Sequence, residues 1–314
     1  MEEILDDPNK ETRKNICIMG CSGVGKTSIR AIIFGSWAPA KTKYFEPTLE
    51  IASSDINFFG IKVTIKDCGG QNDLIPEYFN LKQKEVFSNL QIFVFVIEAE
   101  KRTEEAELSE LDYYEKCIEK VNEYSPNAKV FVLINKMDLI HNTRKEQVLQ
   151  KRKNEFLNVS GNLNVEFFPT NIWDDSLYIA WQEITSSLLY DKSRIENGLK
   201  LFAEICNVNE VILLEPNTFL IFSHFSKNNN RDNTRFYQIS KSLKKIYYSF
   251  SHNNYNLKSF SIHGKEFMII FEKLVSNANI MIIVDDLNIT QELVSLNIAL
   301  VREEFEKFFK ENKY

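Results

Sequence analysis

The chain has 314 residues, 44% of them hydrophobic and 26% charged, which is ordinary globular usage, excludes a disordered, collagen-like or disulfide-knotted polypeptide, and at ~150 residues per domain fits two domains. The formal net charge is −6, all of it carried by residues 1–195, while residues 196–314 hold 14 basic and 14 acidic side chains, so broad electrostatic binding to nucleic acid is excluded. The longest apolar runs, such as 92–97, fall far short of the roughly 20 residues that span a membrane, so direct membrane insertion is not expected.

From the N-terminus, β-branched and aromatic runs at 15–19, 51–58, 61–66, 91–97, 130–134 and 165–168 predict six strands. Residues 92–97 and 130–134 are apolar at every position, as strands covered on both faces of a parallel sheet are. Leu111, Tyr114, Ile118 and Val121 share one helix face, and Asp174 is placed to cap a helix carrying Leu177, Trp181, Ile184 and Leu188. This alternation predicts a doubly wound α/β domain over 1–192. After about residue 190 the order changes. A helix at 193–206, strands at 211–214 and 218–225, an asparagine-rich turn at 227–232, a helix at 234–251, strands at 259–263, 267–271 and 280–284, and a last helix with Val294, Ile298, Val301, Phe305 and Phe308 on one stripe predict an α+β domain over 193–314 with an antiparallel sheet.

Gly20-Cys21-Ser22-Gly23-Val24-Gly25-Lys26-Thr27 follows the first predicted strand directly and fits the phosphate-loop pattern. Glycines let consecutive N–H groups turn toward phosphates, and the helix that follows adds its positive end. Ser22, Gly23, Val24, Gly25, Lys26, Thr27 and Ser28 are therefore the candidate phosphate contacts, with Lys26 reaching the β- and γ-phosphates and Thr27 ligating Mg²⁺. A phosphate loop alone also serves kinases and ATPases; the base decides. Asn135-Lys136-Met137-Asp138 ends the strand 130–134, where ligands of open α/β sheets bind. The Asp138 carboxylate can accept from both N–H groups of the guanine edge, Asn135 can reach the base or tie neighbouring loops, and the stem of Lys136 can cover the ring. Asp67-Cys68-Gly69-Gly70-Gln71 ends the strand 61–66: Asp67 can hold a metal-bound water, the Gly70 amide can approach a γ-phosphate, and Gln71 can orient the attacking water. Thr48 can complete the metal shell, and backbone amides of Thr170-Asn171-Ile172, with Asn171 and Ile172 the candidates, can meet the base oxygen. The pattern predicts a GTPase that uses GTP/GDP and Mg²⁺. Ser22 sits where fast-cycling small GTPases often carry glycine and no arginine within the loop is placed as a cis finger, so slow hydrolysis, raised by a GTPase-activating protein, is expected.

These residues resemble a Ras-superfamily GTPase, and the finer text resembles the Rag/Gtr family: Met19-Gly20 through Phe34 with Arg30, Ile32 and Ile33, then Asp67–Gln71, Tyr78-Phe79, Ile172-Trp173-Asp174 and Leu177-Tyr178 with Ala180-Trp181. The sequence Asp67-Cys68-Gly69-Gly70-Gln71 is similar to the RagA/RagB (yeast Gtr-one) branch, whereas the RagC/RagD branch usually reads Asp-Phe-Pro-Gly-Gln there. The C-terminal block, including Phe219-Leu220-Ile221 and the final helix, resembles that family's roadblock-type dimerisation domain. Two departures stand out. Asn135 replaces the family's common histidine, and Glu46-Pro47-Thr48-Leu49-Glu50 replaces Gly-Ala-Thr-Ile-Asp. The resemblance implies a nucleotide switch in TOR complex 1 signalling, in a heterodimer with a RagC/RagD-like chain held on the lysosomal or vacuolar surface by a Ragulator-like scaffold.

Five scattered cysteines without a Cys-x-x-Cys pair fit reduced thiols in the cytoplasm. The ends carry no signal-peptide, myristoyl or prenyl pattern, so membrane recruitment is expected to run through partners. Two other readings stay open on the residues alone: a scaffold that binds nucleotide without cycling, and a P-loop kinase for a small molecule.

Overall fold

The computed structural model describes residues 14–35, 37–58, 61–71, 73–101, 103–161, 163–188, 192–227, 235–252, 258–286 and 288–311. In chain order the elements are β1 (Lys14–Met19), α1 (Lys26–Ile33), α2 (Pro39–Thr42), β2 (Ala52–Phe58), β3 (Ile61–Asp67), α3 (Ile75–Asn80), α4 (Gln83–Phe87), β4 (Leu90–Glu98), α5 (Glu104–Tyr124), β5 (Lys129–Asn135), α6 (Lys145–Val159), β6 (Val165–Pro169) and α7 (Ser176–Ser186). They continue with α8 (Lys192–Ile205), β7 (Glu210–Leu214), β8 (Ile221–Ser226), α9 (Arg235–His252), β9 (Ser259–His263), β10 (Met268–Val275), β11 (Ala278–Val284) and α10 (Gln291–Glu311).

The first six strands form one sheet in the order β2-β3-β1-β4-β5-β6. All neighbours are parallel except β2, which runs antiparallel along β3 at the edge, Ala52 opposite Asp67. The apolar runs are explained by the two covered faces. Ile16, Ile18, Ile92, Val94 and Val96 enter one core, while Cys17, Met19, Phe93, Phe95 and Ile97 enter the core on the other side. The α5 stripe of Tyr114, Ile118 and Val121 is buried in the second core, and Leu177, Trp181, Ile184 and Leu188 of the α7 region in the first. Thr103 caps α5 by accepting from the Ala106 amide. Helix α7 has Asp175 at its N-cap position, but the capping carboxylate is that of Asp174, whose Oδ1 accepts from the Ser176 amide at 2.9 Å.

The remaining strands form a wholly antiparallel sheet in the order β8-β7-β11-β10-β9. Helices α8 and α10 cover one face and α9 the other, with Leu243 packed among Ile212, Phe219 and Phe271. The predicted strand 218–225 begins only at Ile221. The Glu215 carboxylate accepts from the Asn217 amide and from the amide and hydroxyl of Thr218, and Phe219 takes φ 55°, so the chain turns before it can pair. The predicted turn 227–232 lies, beyond Lys227, outside the described residues. One continuous apolar core joins β1, β4, α1 and α7 to α8, β7, β8, β11 and α10. No described helix is long and apolar enough to cross a membrane.

Candidate nucleotide site

Strand order reverses at β1, which has β3 on one side and β4 on the other. Loops leaving the carboxyl ends of such strands open a crevice. Gly20 starts the loop after β1 at φ 141°, where an added Cβ would fall 2.2 Å from the Val96 carbonyl oxygen, so only glycine lets the loop pass β4. Gly23 and Gly25 also take positive φ, 80° and 102°. Lys26 opens α1, buried, with Nζ donating to the carbonyls of Gly20 (2.7 Å) and Cys21 (2.9 Å). Burial lowers its pKa, against the opposing pull of Asp67.

Asn135, at the end of β5, clasps this loop. Its Nδ2 donates to the Val24 carbonyl at 2.7 Å, and its Oδ1 accepts from the Thr170 hydroxyl at 3.3 Å. Of the two roles open to Asn135 on sequence, the structure displays the loop tie. The same geometry favours glycine at 25, where φ is 102° and a Cβ would lie 2.7 Å from Asn135 Nδ2.

The candidate metal ligands converge. The hydroxyls of Thr27 and Thr48 are 2.8 Å apart. Asp67, at the end of β3, is fully buried and neither carboxylate oxygen accepts a hydrogen bond. Burial raises its pKa; Thr27, Lys26 and Arg30 oppose that. Arg30 lies 3.3 Å from Oδ2, but an ionised carboxylate in the interior whose oxygens lack good hydrogen bonds is costly. Beside two hydroxyls, such oxygens form the hard-donor set that suits Mg²⁺. The residues present therefore fit the ion.

Gly70 lies against the phosphate loop: an added Cβ would come within 2.4 Å of the Gly20 carbonyl oxygen and 2.6 Å of Lys26 Nζ. Gln71 follows, half-buried, its carbonyl accepting from the amides of Leu74 and Ile75. Ser22, Gly23, Gly25, Lys26, Thr27, Ser28, Thr48 and Gly70 line one cleft of about 200 Å³, to which Thr42, Phe45 and Glu46 also contribute. Val24 is buried beneath the loop.

At the other end of the crevice, Asp138 is exposed in the short turn Met137–Leu139. Lys136, at φ 63°, pairs with Glu98 at the end of β4. Burial works against the charge on Glu98, but Lys136 and Lys101 hold its pKa below the ordinary value. The Met137 amide donates to the Thr170 carbonyl, binding the two base-side loops together. Asn171 is buried there; its Oδ1 accepts from the amides of Trp173 (2.7 Å) and Asp174 (3.0 Å), and its own amide donates to the Ser176 hydroxyl. Ile172 packs on the apolar core. Two residues near the site carried no functional reading from motifs: Arg30, 3.3 Å from Asp67, and Glu98 beside Lys136; Thr170, which opens the motif 170–172, lies beneath Asn135, with its amide donating to the Ile134 carbonyl. The pairings of Arg30 and Glu98 join distant elements and leave no mark in local spacing.

A crevice with a glycine-rich loop and a buried lysine at one end and an exposed carboxylate, Asp138, at the other fits a guanine-nucleotide-binding protein of the Ras-like class. The description "Gtr1/RagA G protein conserved region" matches residues 15–243. The chain is 34% identical to "GTP-binding protein GTR1" of Saccharomyces cerevisiae over 95% of this chain and 100% of that one. It is 32% identical to "Ras-related GTP-binding protein A" of Dictyostelium discoideum over 94% and 98%. "Ras-related GTP-binding protein C" of Homo sapiens matches at 26% over 65% of this chain and 51% of that one. The chain belongs to the Gtr1/RagA family of GTPases.

Proposed function

We propose that this GTPase is a slow molecular switch that forms a heterodimer with a RagC/RagD-like GTPase and relays amino-acid availability to TOR complex 1, on a lysosomal or vacuolar surface where a Ragulator-like scaffold holds it. Residues 1–192 form the switching domain and 193–314 the dimerisation domain in this reading. The observation that supports the switch is the seating of Gly70 on Gly20 and Lys26: Gly70 lies against the phosphate loop, where a change at the phosphates would be felt.

The chain's own groups divide the work. The loop amides and Lys26 bind and orient the phosphates. Thr27, Thr48 and Asp67 would hold Mg²⁺, which when bound offsets charge on the β- and γ-phosphates. Gln71 positions the attacking water. An activating protein would supply the arginine that this loop lacks. For dimerisation, β9 ends its sheet among the described residues, pairing there with β10, and Ile262 is 45% exposed. An open edge is a template for a partner's strand.

The test is purification of the full chain from its native cell, with identification of the bound chain and nucleotide and the mass of the complex in solution. A related GTPase in equal amount, lost from Ile262→Glu, is the expected result. A monomer, or a complex indifferent to Ile262→Glu, overturns the heterodimer.

A further inference from the structure

Arg30 lies one helical turn beyond Thr27 on α1, on the side that faces β3. Its Nε is 3.3 Å from Asp67 Oδ2, with the arginine side chain 26% exposed and the aspartate fully buried. Its Nη1 reaches the Ser54 hydroxyl on β2 at 3.4 Å, which steadies the guanidinium between the helix and the edge strand. Lys26, the other nearby cation, is turned to the carbonyls of Gly20 and Cys21. Arg30 is thus the cation whose side chain forms an ion pair with Asp67.

We infer that Arg30 is a positioning residue that sets the divalent-cation affinity of the nucleotide site: its guanidinium holds the buried Asp67 carboxylate and competes for it with an arriving cation. This rests on the reading that Thr27, Thr48 and Asp67 face Mg²⁺. A guanidinium stays charged under all ordinary conditions. It therefore remains beside the site when the cation enters, and two like charges a few ångströms apart behind a low-dielectric wall repel. A neutral side chain at 30 removes that repulsion and leaves the three oxygen donors in place.

The experiment uses the full-length GDP complex at mildly alkaline pH, titrated with Mn²⁺ and read as the paramagnetic resonance signal of the free ion. Arg30→Met and Arg30→Gln are expected to bind Mn²⁺ about tenfold more tightly than the wild type. Arg30→Lys, which keeps the charge, is expected to stay within about twofold. A purely structural role predicts the opposite sign, since a disturbed site would bind more weakly. Thermal midpoints and GDP content check each variant, and Arg30→Gln serves if Arg30→Met does not fold. Unchanged or weaker Mn²⁺ binding in the neutral variants overturns the inference alone. Failure of the wild-type GDP complex to bind one equivalent of Mn²⁺ overturns the metal reading, and the inference with it.

Discussion

Lys244 of α9 donates from Nζ to the carbonyl of Ile33 at 3.1 Å and to that of Ile32 at 3.4 Å. These are the last residues of α1, the helix that begins at the phosphate loop, so a cation from the second sheet's helix sits on the negative end of the helix that meets the nucleotide. The ammonium also lies 4.9 Å from the centroid of the Tyr178 ring.

That lysine makes stability depend on pH. Burial depresses its pKa from 10.5 to about 7, with Glu215 pulling the other way. Between those values the unfolded chain binds a proton that the folded chain does not, so stability rises with pH through this window and is lowest below about 7, where the folded state must bury a charge. The full effect is a few kcal/mol. In urea denaturation from about pH 6.5 to about pH 9, the wild type is expected to gain stability relative to Lys244→Met. Parallel pH profiles would contradict the assignment.

Asp138 should decide the base. It is exposed at the rim of the crevice, free to accept from the two guanine donors. Asp138→Asn replaces an acceptor-only group by one that also presents N–H donors. Mispairing of this kind is worth a loss of about 100-fold in GTP affinity. Equilibrium binding of GTP, ATP and xanthosine triphosphate checks it; a variant that keeps wild-type GTP affinity would remove Asp138 from the base site.

Turnover by the isolated chain should be slow. Ser22 is exposed and lines the candidate phosphate cleft, and a side chain at this position is expected to crowd the space between Gln71 and the γ-phosphate. An activating protein that inserts an arginine is expected to raise the rate by ~10³–10⁵. Gln71→Leu is expected to abolish most of that gain while leaving GTP affinity near the wild type. Single-turnover phosphate release reads both, and rapid unassisted hydrolysis by the wild type would refute the expectation.

The buried acid Glu110 sets a stability test away from the nucleotide. It is fully buried between Lys101, 3.1 Å from Oε1, and Arg152, which pairs with Oε2. Burial nonetheless raises its pKa. Arg152→Met leaves Glu110 with one partner and is expected to cost about 3 kcal/mol in urea unfolding. The double variant Glu110→Leu, Arg152→Met should recover most of the loss, because no uncompensated charge remains. A double variant as unstable as the single one would show that the arginine acts through packing instead.

The six strands of the first sheet were legible because continuous apolar runs such as 92–97 leave no other placement, and the motifs at 67–71 and 135–138 were legible because they begin where such runs end. The order of the last eight elements was equally plain. Helices α2, α3 and α4 were not: each is 4 to 6 residues long, too short for a period to declare itself. The late start of β8 depends on a carboxylate, Glu215, folding back on its own turn. Asn135 illustrates the limit best. Its spacing placed it at the site, but its grip on Val24 and Thr170 joins three loops, and only the assembled sheet brings those loops together.

The apolar core that runs without a break from β1 and α7 into α8, β7 and α10 limits how far the chain can be treated as two interchangeable modules. Grafted onto another G protein, the second sheet would arrive with β8, which packs on α7 here, facing a surface cut for different side chains. Exchange of the second sheet between lineages therefore requires recutting of α7, and a chain cut between α7 and α8 is expected to leave the two pieces associated.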